Sequence, residues 1–133
     1  MILAVADTCS IIWYLTESSR LGAGADAFFQ AMEKGQGVLA LSAISVCEIV
    51  YLQERFKIPQ QTGDALAAML NAPNPGLMAL PVDVHLALEL PKVPREKVPD
   101  LPDRIIAVTA LRLRVPLLSP DERLQAADVN AIW

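Results

Sequence analysis

Four acidic residues occupy positions where a carboxylate is either costly or useful. Asp7 directly follows the apolar run Ile2-Leu3-Ala4-Val5-Ala6, Glu48 lies within the apolar stretch from Ile44 to Leu52, Asp103 precedes the run from Arg104 to Leu111, and Asp121 comes just after Val115-Pro116-Leu117-Leu118. Taken singly, Asp7, Asp103 and Asp121 each suit a helix start, where a carboxylate accepts backbone N–H bonds and gains about 0.3 to 1 kcal/mol from the helix dipole. Glu48 has a poorer bland explanation. An ionised carboxylate among Ile44, Cys47, Ile49 and Tyr51 is costly to bury without a partner, which an arginine could supply. Taken together, the acids say more. Two carboxylates about 4 Å apart repel by roughly 4 kcal/mol at an effective dielectric of 20, so four that converge need protons or a cation. An all-oxygen set suits Mg²⁺ or Mn²⁺ rather than zinc, and such ions serve phosphoryl chemistry by polarising the phosphate and acidifying water.

Bringing these acids together requires a frame, and the hydrophobic pattern supplies one. Residues Ile2 to Ala6 form a continuously apolar strand of the kind covered on both faces in a parallel sheet. Thr8 and Ser10 offer caps for a helix through Ile11, Ile12 and Leu15. A second helix spans Gly24 to Lys34, with Ala25, Phe28, Phe29 and Met32 on one side and Gly35 as its stop. That apolar group reads as core or dimer surface rather than a base-stacking platform. A strand over Val38 to Leu41 leads to Ser42, the cap of a third helix on which Ser45 and Glu48 share a stripe. Thr62 to Leu70 is helical, Asn71 to Gly76 is a turn, Leu77 to Val82 is a strand and Asp83 to Leu90 is a short helix.

The segment from Pro91 to Pro102 contains four of the ten prolines and reads as a stiff loop of the kind that serves a site. Asp103 then opens the helix expected to be most buried. A strand end at Pro116 to Ser119 is followed by a capping box of Ser119 and Glu122 around Pro120, and the last strand covers Ala131 to Trp133. Strands alternating with helices imply a single domain over residues 1–133, a three-layer α/β/α sandwich around a parallel sheet of four to five strands. In such a sheet the carboxyl ends of the strands share one edge, and ligands bind where strand order reverses. Asp7 and Asp121 follow strands directly, and Asp103 and Glu48 lie on helices expected to begin at that edge.

Composition narrows the classes. A 133-residue chain that is 53% hydrophobic, with a mean hydropathy of +0.37, is long and apolar enough for a core and unlike a disordered segment. No run approaches the roughly 18 apolar residues of a membrane span, and no basic segment precedes the first apolar run as in a signal peptide. The expectation is a cytoplasmic protein with no membrane role, in which Cys9 and Cys47 form a reduced, buried pair without a disulfide. A net charge of −4 argues against broad electrostatic binding of nucleic acid, although a bound divalent cation would reverse the sign locally.

Four stretches resemble the PIN-domain family, especially its VapC-type toxins: Asp7-Thr8 after an apolar strand, Leu41-Ser42-Ala43-Ile44-Ser45-Val46-Cys47-Glu48-Ile49, Pro102-Asp103-Arg104-Ile105-Ile106-Ala107-Val108-Thr109-Ala110, and Pro116-Leu117-Leu118-Ser119-Pro120-Asp121. The similarity runs through nearly the whole chain in the same order, and the block that begins at Asp103 is its most distinctive part. The resemblance implies a PIN-like α/β/α sandwich and a Mg²⁺- or Mn²⁺-dependent endoribonuclease acting on RNA. It further implies a homodimer neutralised by a cognate antitoxin protein. By motif, Asp7, Glu48, Asp103 and Asp121 match the acidic quartet that holds the metal and carries catalysis, with Thr8 and Ser119 as accessory hydroxyls. Ser119 stands where the family usually has Thr. Cys9 stands where it often has Ser, which bears on the hydrogen bonding around Asp7.

Two other readings compete. One is a catalytically silent PIN-like domain that binds protein or RNA. The other is a phosphatase with Asp7 as nucleophile, which would call for a second Asp two residues on, where this chain has Cys9. His85, the only histidine, reads as a surface or packing residue, and Asp83 and Glu89 as solvated. Asp100 is a minor candidate for the site. Arg104 could meet phosphate, an acid or an antitoxin.

Overall fold

Apolar runs covered on both sides become the strands. The computed structural model describes residues 1–133. Its strands are β1 (Ile2–Ala6), β2 (Val38–Ser42), β3 (Leu77–Leu80), β4 (Leu117–Leu118) and β5 (Ala131–Ile132), all parallel and in the order β3-β2-β1-β4-β5. Strand order therefore reverses at β1, which pairs with β2 on one side and β4 on the other. The helices are α1 (Thr8–Leu15), α2 (Ala23–Glu33), α3 (Ala43–Glu54), α4 (Thr62–Leu70), α5 (Val84–Leu88) and α6 (Leu101–Leu113), with 3-10 turns at Leu90–Lys92 and Glu122–Ala127.

The strand period of two sorts side chains into two cores. Val5, Ala40 and Leu117 face α5, α6 and the second 3-10 turn, together with Leu86, Ile106, Leu124 and Val129. Their neighbours Ala4, Ala6, Leu39, Leu41 and Leu118 face the other layer, with Ile11, Phe29, Ile49 and Leu66. The three-layer α/β/α reading holds, with five strands. As expected, α6 is the most buried helix, with every residue from Ile105 to Ala110 inside. Phe29 and Met32 are buried in the core and Phe29 stacks on Tyr14, so this group is packing.

Some boundaries move. The third strand ends at Leu80 rather than Val82. The proline segment carries its own buried anchors, Val93 and Val98, so it is packed against the core rather than free. At the far edge of the sheet, the chain end folds back on the start of α2. A Cβ added at Gly22 would lie 2.6 Å from the Trp133 backbone, so only glycine fits there. The Trp133 ring meets Trp13 edge-on, with centroids 5.3 Å apart.

Candidate active site

The site is built at the reversal of strand order. Asp7 leaves β1 and is itself the N-cap of α1, its Oδ1 accepting from the Ser10 amide at 2.7 Å. Asp7 caps as its place at a helix start suggests, and the other candidates, Thr8 and Ser10, lie inside the helix, because the first residue with extended backbone and a reaching carboxylate is Asp7. The Ser10 hydroxyl donates back to the Asp7 carbonyl at 2.9 Å. Burial raises the Asp7 carboxyl above the usual range. The Ser10 amide and the Ser119 hydroxyl act the other way, and the Glu48 charge adds to the rise. Asp7 is thus held by Ser10, and Cys9 takes no part in holding it.

Thr8, released from capping, turns to α3. Its buried hydroxyl donates to Glu48 Oε1 at 2.5 Å and shares a hydrogen bond with the Ser45 hydroxyl at 3.0 Å. Glu48 therefore has a hydroxyl partner rather than an arginine. The stripe of Ser45 and Glu48 on α3 faces the start of α1.

Asp103 does not open its helix. The N-cap of α6 is Asp100, whose Oδ2 accepts from the Asp103 amide at 3.1 Å, and Asp103 sits in the first turn with its carboxylate uncommitted to a cap. Burial, followed by the charges of Asp100, Asp121, Glu48 and Asp7, pushes Asp103 up to about 6. Arg104, at the next position, donates to the carbonyls of Val93 and Leu90 at 3.0 and 3.1 Å. It secures the proline segment and pairs with no acid.

Asp121 follows β4 and caps the 3-10 turn, accepting from the Arg123 amide at 3.0 Å. The capping box of Ser119 and Glu122 does not form. Ser119 instead accepts from the Asp121 amide at 3.2 Å, and the turn starts after Asp121. The Arg123 guanidinium clasps Asp121 with Nε at 3.0 Å from Oδ1 and Nη2 at 2.7 Å from Oδ2, and its Nη2 lies 3.6 Å from Asp103 Oδ2. This clasp holds the Asp121 carboxyl below its ordinary range. Sequence reasoning gave Arg123 no role. The only signal was its place two residues after the last acid.

Both cysteines are free and exposed, which corrects the expected buried pair. Cys47 lies on the outer side of α3, and Cys9 at the rim of the site. Partial shielding of the Cys9 thiol, followed by the charges of Asp7, Asp103, Glu48 and Asp121, pushes it up to about 11. One thiol thus feels all four acids. His85 is exposed on α5, Asp83 caps that helix and lies 3.6 Å from Arg112, and Glu89 pairs with Lys92.

Acids at the carboxyl edge of a parallel α/β domain, around a strand-order reversal, define a class of site. The PIN domain family model matches residues 4–130, and the chain belongs to the PIN-domain family. Its members are generally nucleases that use divalent metals. Solved structures share the fold across almost the whole chain. VapBC2 from Rickettsia felis, bound to a DNA fragment from its promoter, aligns with a TM-score of 0.71 at 12% identity, covering 98% of this chain and 97% of that one. A toxin-antitoxin complex from Klebsiella pneumoniae gives 0.64 at 24% identity, covering 98% and 96%. FitAcB from Neisseria gonorrhoeae gives 0.65 at 20% identity, covering 97% and 96%. No curated protein sequence matches the chain.

The chemistry of the donor set fits a hard divalent cation. The oxygens come from carboxylates alone, and Asp103 is raised by three of its fellow acids, as expected of charges gathered without enough compensation. The present side-chain arrangement is not a finished cage, since no three acids are close enough to hold an ion between them. Glu48 is engaged by Thr8 and Asp121 by Arg123.

Proposed function

We propose that this PIN-domain protein is a Mg²⁺- or Mn²⁺-dependent endoribonuclease, the toxin of a toxin-antitoxin pair, acting in the cytoplasm as a single domain. The observation that carries this reading is a pair of links across the sheet edge. Thr8, next to Asp7, holds Glu48, and Arg123 spans Asp121 and Asp103. One link draws Glu48 to the residue beside Asp7 and the other draws Asp121 toward Asp103, which supports reading the four as one site. Asp7, Glu48, Asp103 and Asp121 would hold the cation, which when bound supplies Lewis-acid charge at an RNA phosphodiester. The chain's own residues do the positioning. The Ser10 amide orients Asp7, the Thr8 hydroxyl orients Glu48, and the Asp100 cap fixes the backbone that carries Asp103. Ser119 shapes the turn that presents Asp121.

The antitoxin reading draws on the solved neighbours, which are toxin-antitoxin complexes, and on a surface of this chain. Val46, Ile49, Val50, Leu66 and Leu70 line an apolar groove between α3 and α4. Val50, which lines it, and its neighbour Tyr51 are each about half exposed, 50% and 55%. Such a groove, about 90 Å³ in volume, has room for one apolar side chain from an amphipathic helix laid across it. A second copy of the chain in a homodimer completes the proposal.

The test is cleavage of structured RNA in Mg²⁺ or Mn²⁺ by wild type, Asp7→Asn and Asp103→Asn. Each variant is expected to lose about 10²-fold or more, comparable with removing a preorganised electrostatic group. Equal activity in all three would sink the mechanism. The prior engagement of Asp121 by Arg123 favours one alternative, a silent PIN-like module that binds protein or RNA. For that module, added Mg²⁺ or Mn²⁺ leaves the melting temperature unchanged.

A further inference from the structure

The only basic side chain ion-paired with any of the four acids is Arg123. It reaches two of them from different elements: Asp121, which ends the strand side of the site, and Asp103, in the first turn of α6. With Asp121 its contact is a two-pronged clasp, with Nε and Nη2 on separate oxygens, and with Asp103 it is a looser approach at 3.6 Å. Arg104, the other arginine beside the site, is committed to backbone carbonyls and cannot substitute for it. The Arg123 side chain is half exposed, at 52%, so no packing prevents it from swinging away.

We propose that Arg123 is the resident counter-ion of the acidic site, a tethered cation that a divalent metal must displace from Asp121 and Asp103 before those acids can coordinate. The inference rests on reading these acids as metal ligands. Physically it is an ion exchange. The guanidinium lowers the repulsion among the acids in the metal-free protein, and the entering cation takes over that task. Metal affinity is then set by a difference, the attraction of the acids for the metal less their attraction for Arg123. A clasp at a half-exposed position weighs little in absolute terms, so the cost to the metal is modest, about three- to tenfold in affinity. The same exchange frees a planar five-donor fork beside the site, still tethered two residues from Asp121. Lysine would provide the charge there without the fork.

Binding of Mn²⁺ to wild type, Arg123→Gln and Arg123→Lys, followed by electron paramagnetic resonance of the free ion, tests this without reference to RNA cleavage. The expectation is about three- to tenfold tighter binding in Arg123→Gln, with Arg123→Lys between it and wild type. In parallel, Mg²⁺ added to wild type should shift the Arg123 Nε–H nuclear magnetic resonance signal, identified by its loss in Arg123→Gln. Equal or weaker Mn²⁺ binding in Arg123→Gln, with circular dichroism unchanged, overturns the counter-ion role while leaving the metal-site reading intact. Failure of all three proteins to bind Mn²⁺ overturns both.

Discussion

Burial and the neighbouring acids push Asp103 up to about 6, and the sign of its effect on stability follows from that rise. Its value of about 6 lies above the 3.8 of an unperturbed aspartate. The folded chain therefore keeps a proton that the unfolded chain has released between about pH 4 and pH 6. Stability falls as pH rises through that window, and the whole cost is present above pH 6. In metal-free protein, Asp103→Asn removes the cost. The variant should be about 1 kcal/mol more stable at pH 7, allowing for solvent screening of a half-exposed group, and about equal to wild type near pH 4. Urea melts at the two pH values check this, and an equal gain at both would contradict it. Thr8 makes a different kind of contribution. Its hydroxyl satisfies a half-buried carboxylate, so Thr8→Val should cost about 1 to 3 kcal/mol, while Thr8→Ser keeps most of the bond. The comparison of the two in denaturant separates loss of the hydroxyl from loss of the methyl group.

At the scale of elements, the strands and helices were legible where burial alone decides, and the caps only where a single candidate follows the strand, as Ser42 does before α3. Ile2–Ala6 and Thr62–Leu70 lie where the apolar pattern puts them. At three helix starts, several side chains able to cap stood within one turn, and the apolar pattern does not choose among them. Asp7 caps in place of Thr8 or Ser10, Asp100 in place of Asp103, and Asp121 in place of Ser119. Composition cannot settle such contests, because the winner is whichever residue has extended backbone at the boundary. The pairing of Arg123 with Asp121 was hidden for a related reason. Residues two apart do not face each other on an α-helix, but the tighter 3-10 turn and the cap position allow it. The division of labour at α6 is testable. Asp100→Ala should cost about 1 kcal/mol for the lost cap. It should also move the Asp103 titration down, since Asp100 is the largest charge raising it. Carboxyl-carbon nuclear magnetic resonance against pH reads the second effect. At the other end of the helix, Arg114 adopts the left-handed conformation at φ 56, so Arg114→Gly should add about 0.5 to 1 kcal/mol in thermal melts.

At the scale of the whole molecule, the acids at one edge and the apolar groove between α3 and α4 form two separate surfaces, and they should fail separately. Val50→Glu is expected to prevent co-elution with the proposed antitoxin partner on size exclusion while leaving the melting temperature and Mn²⁺ binding as they were. Asp7→Asn should do the reverse. The fold class could be read from the residues, because it depends on the local alternation of strands and helices, whereas the strand order that reverses at β1 depends on long-range pairing and could not. The groove could not, because exposure of Val50 and Tyr51 depends on which neighbours α3 finds. The seating of Trp133 against Gly22 has a mechanical consequence for the site. The chain end is a latch: β5 completes the edge of the sheet, and its Ile132 carbonyl receives the Ser119 amide at 3.1 Å, one residue from Pro120 and two from Asp121. Removing residues 131–133 would open that latch, leaving β4 as a bare edge and slackening the segment that presents the last acid. Hydrogen exchange at Ser119 should then accelerate far more than at Ala6, so that a lesion at the chain terminus is felt at one wall of the site and not at the other.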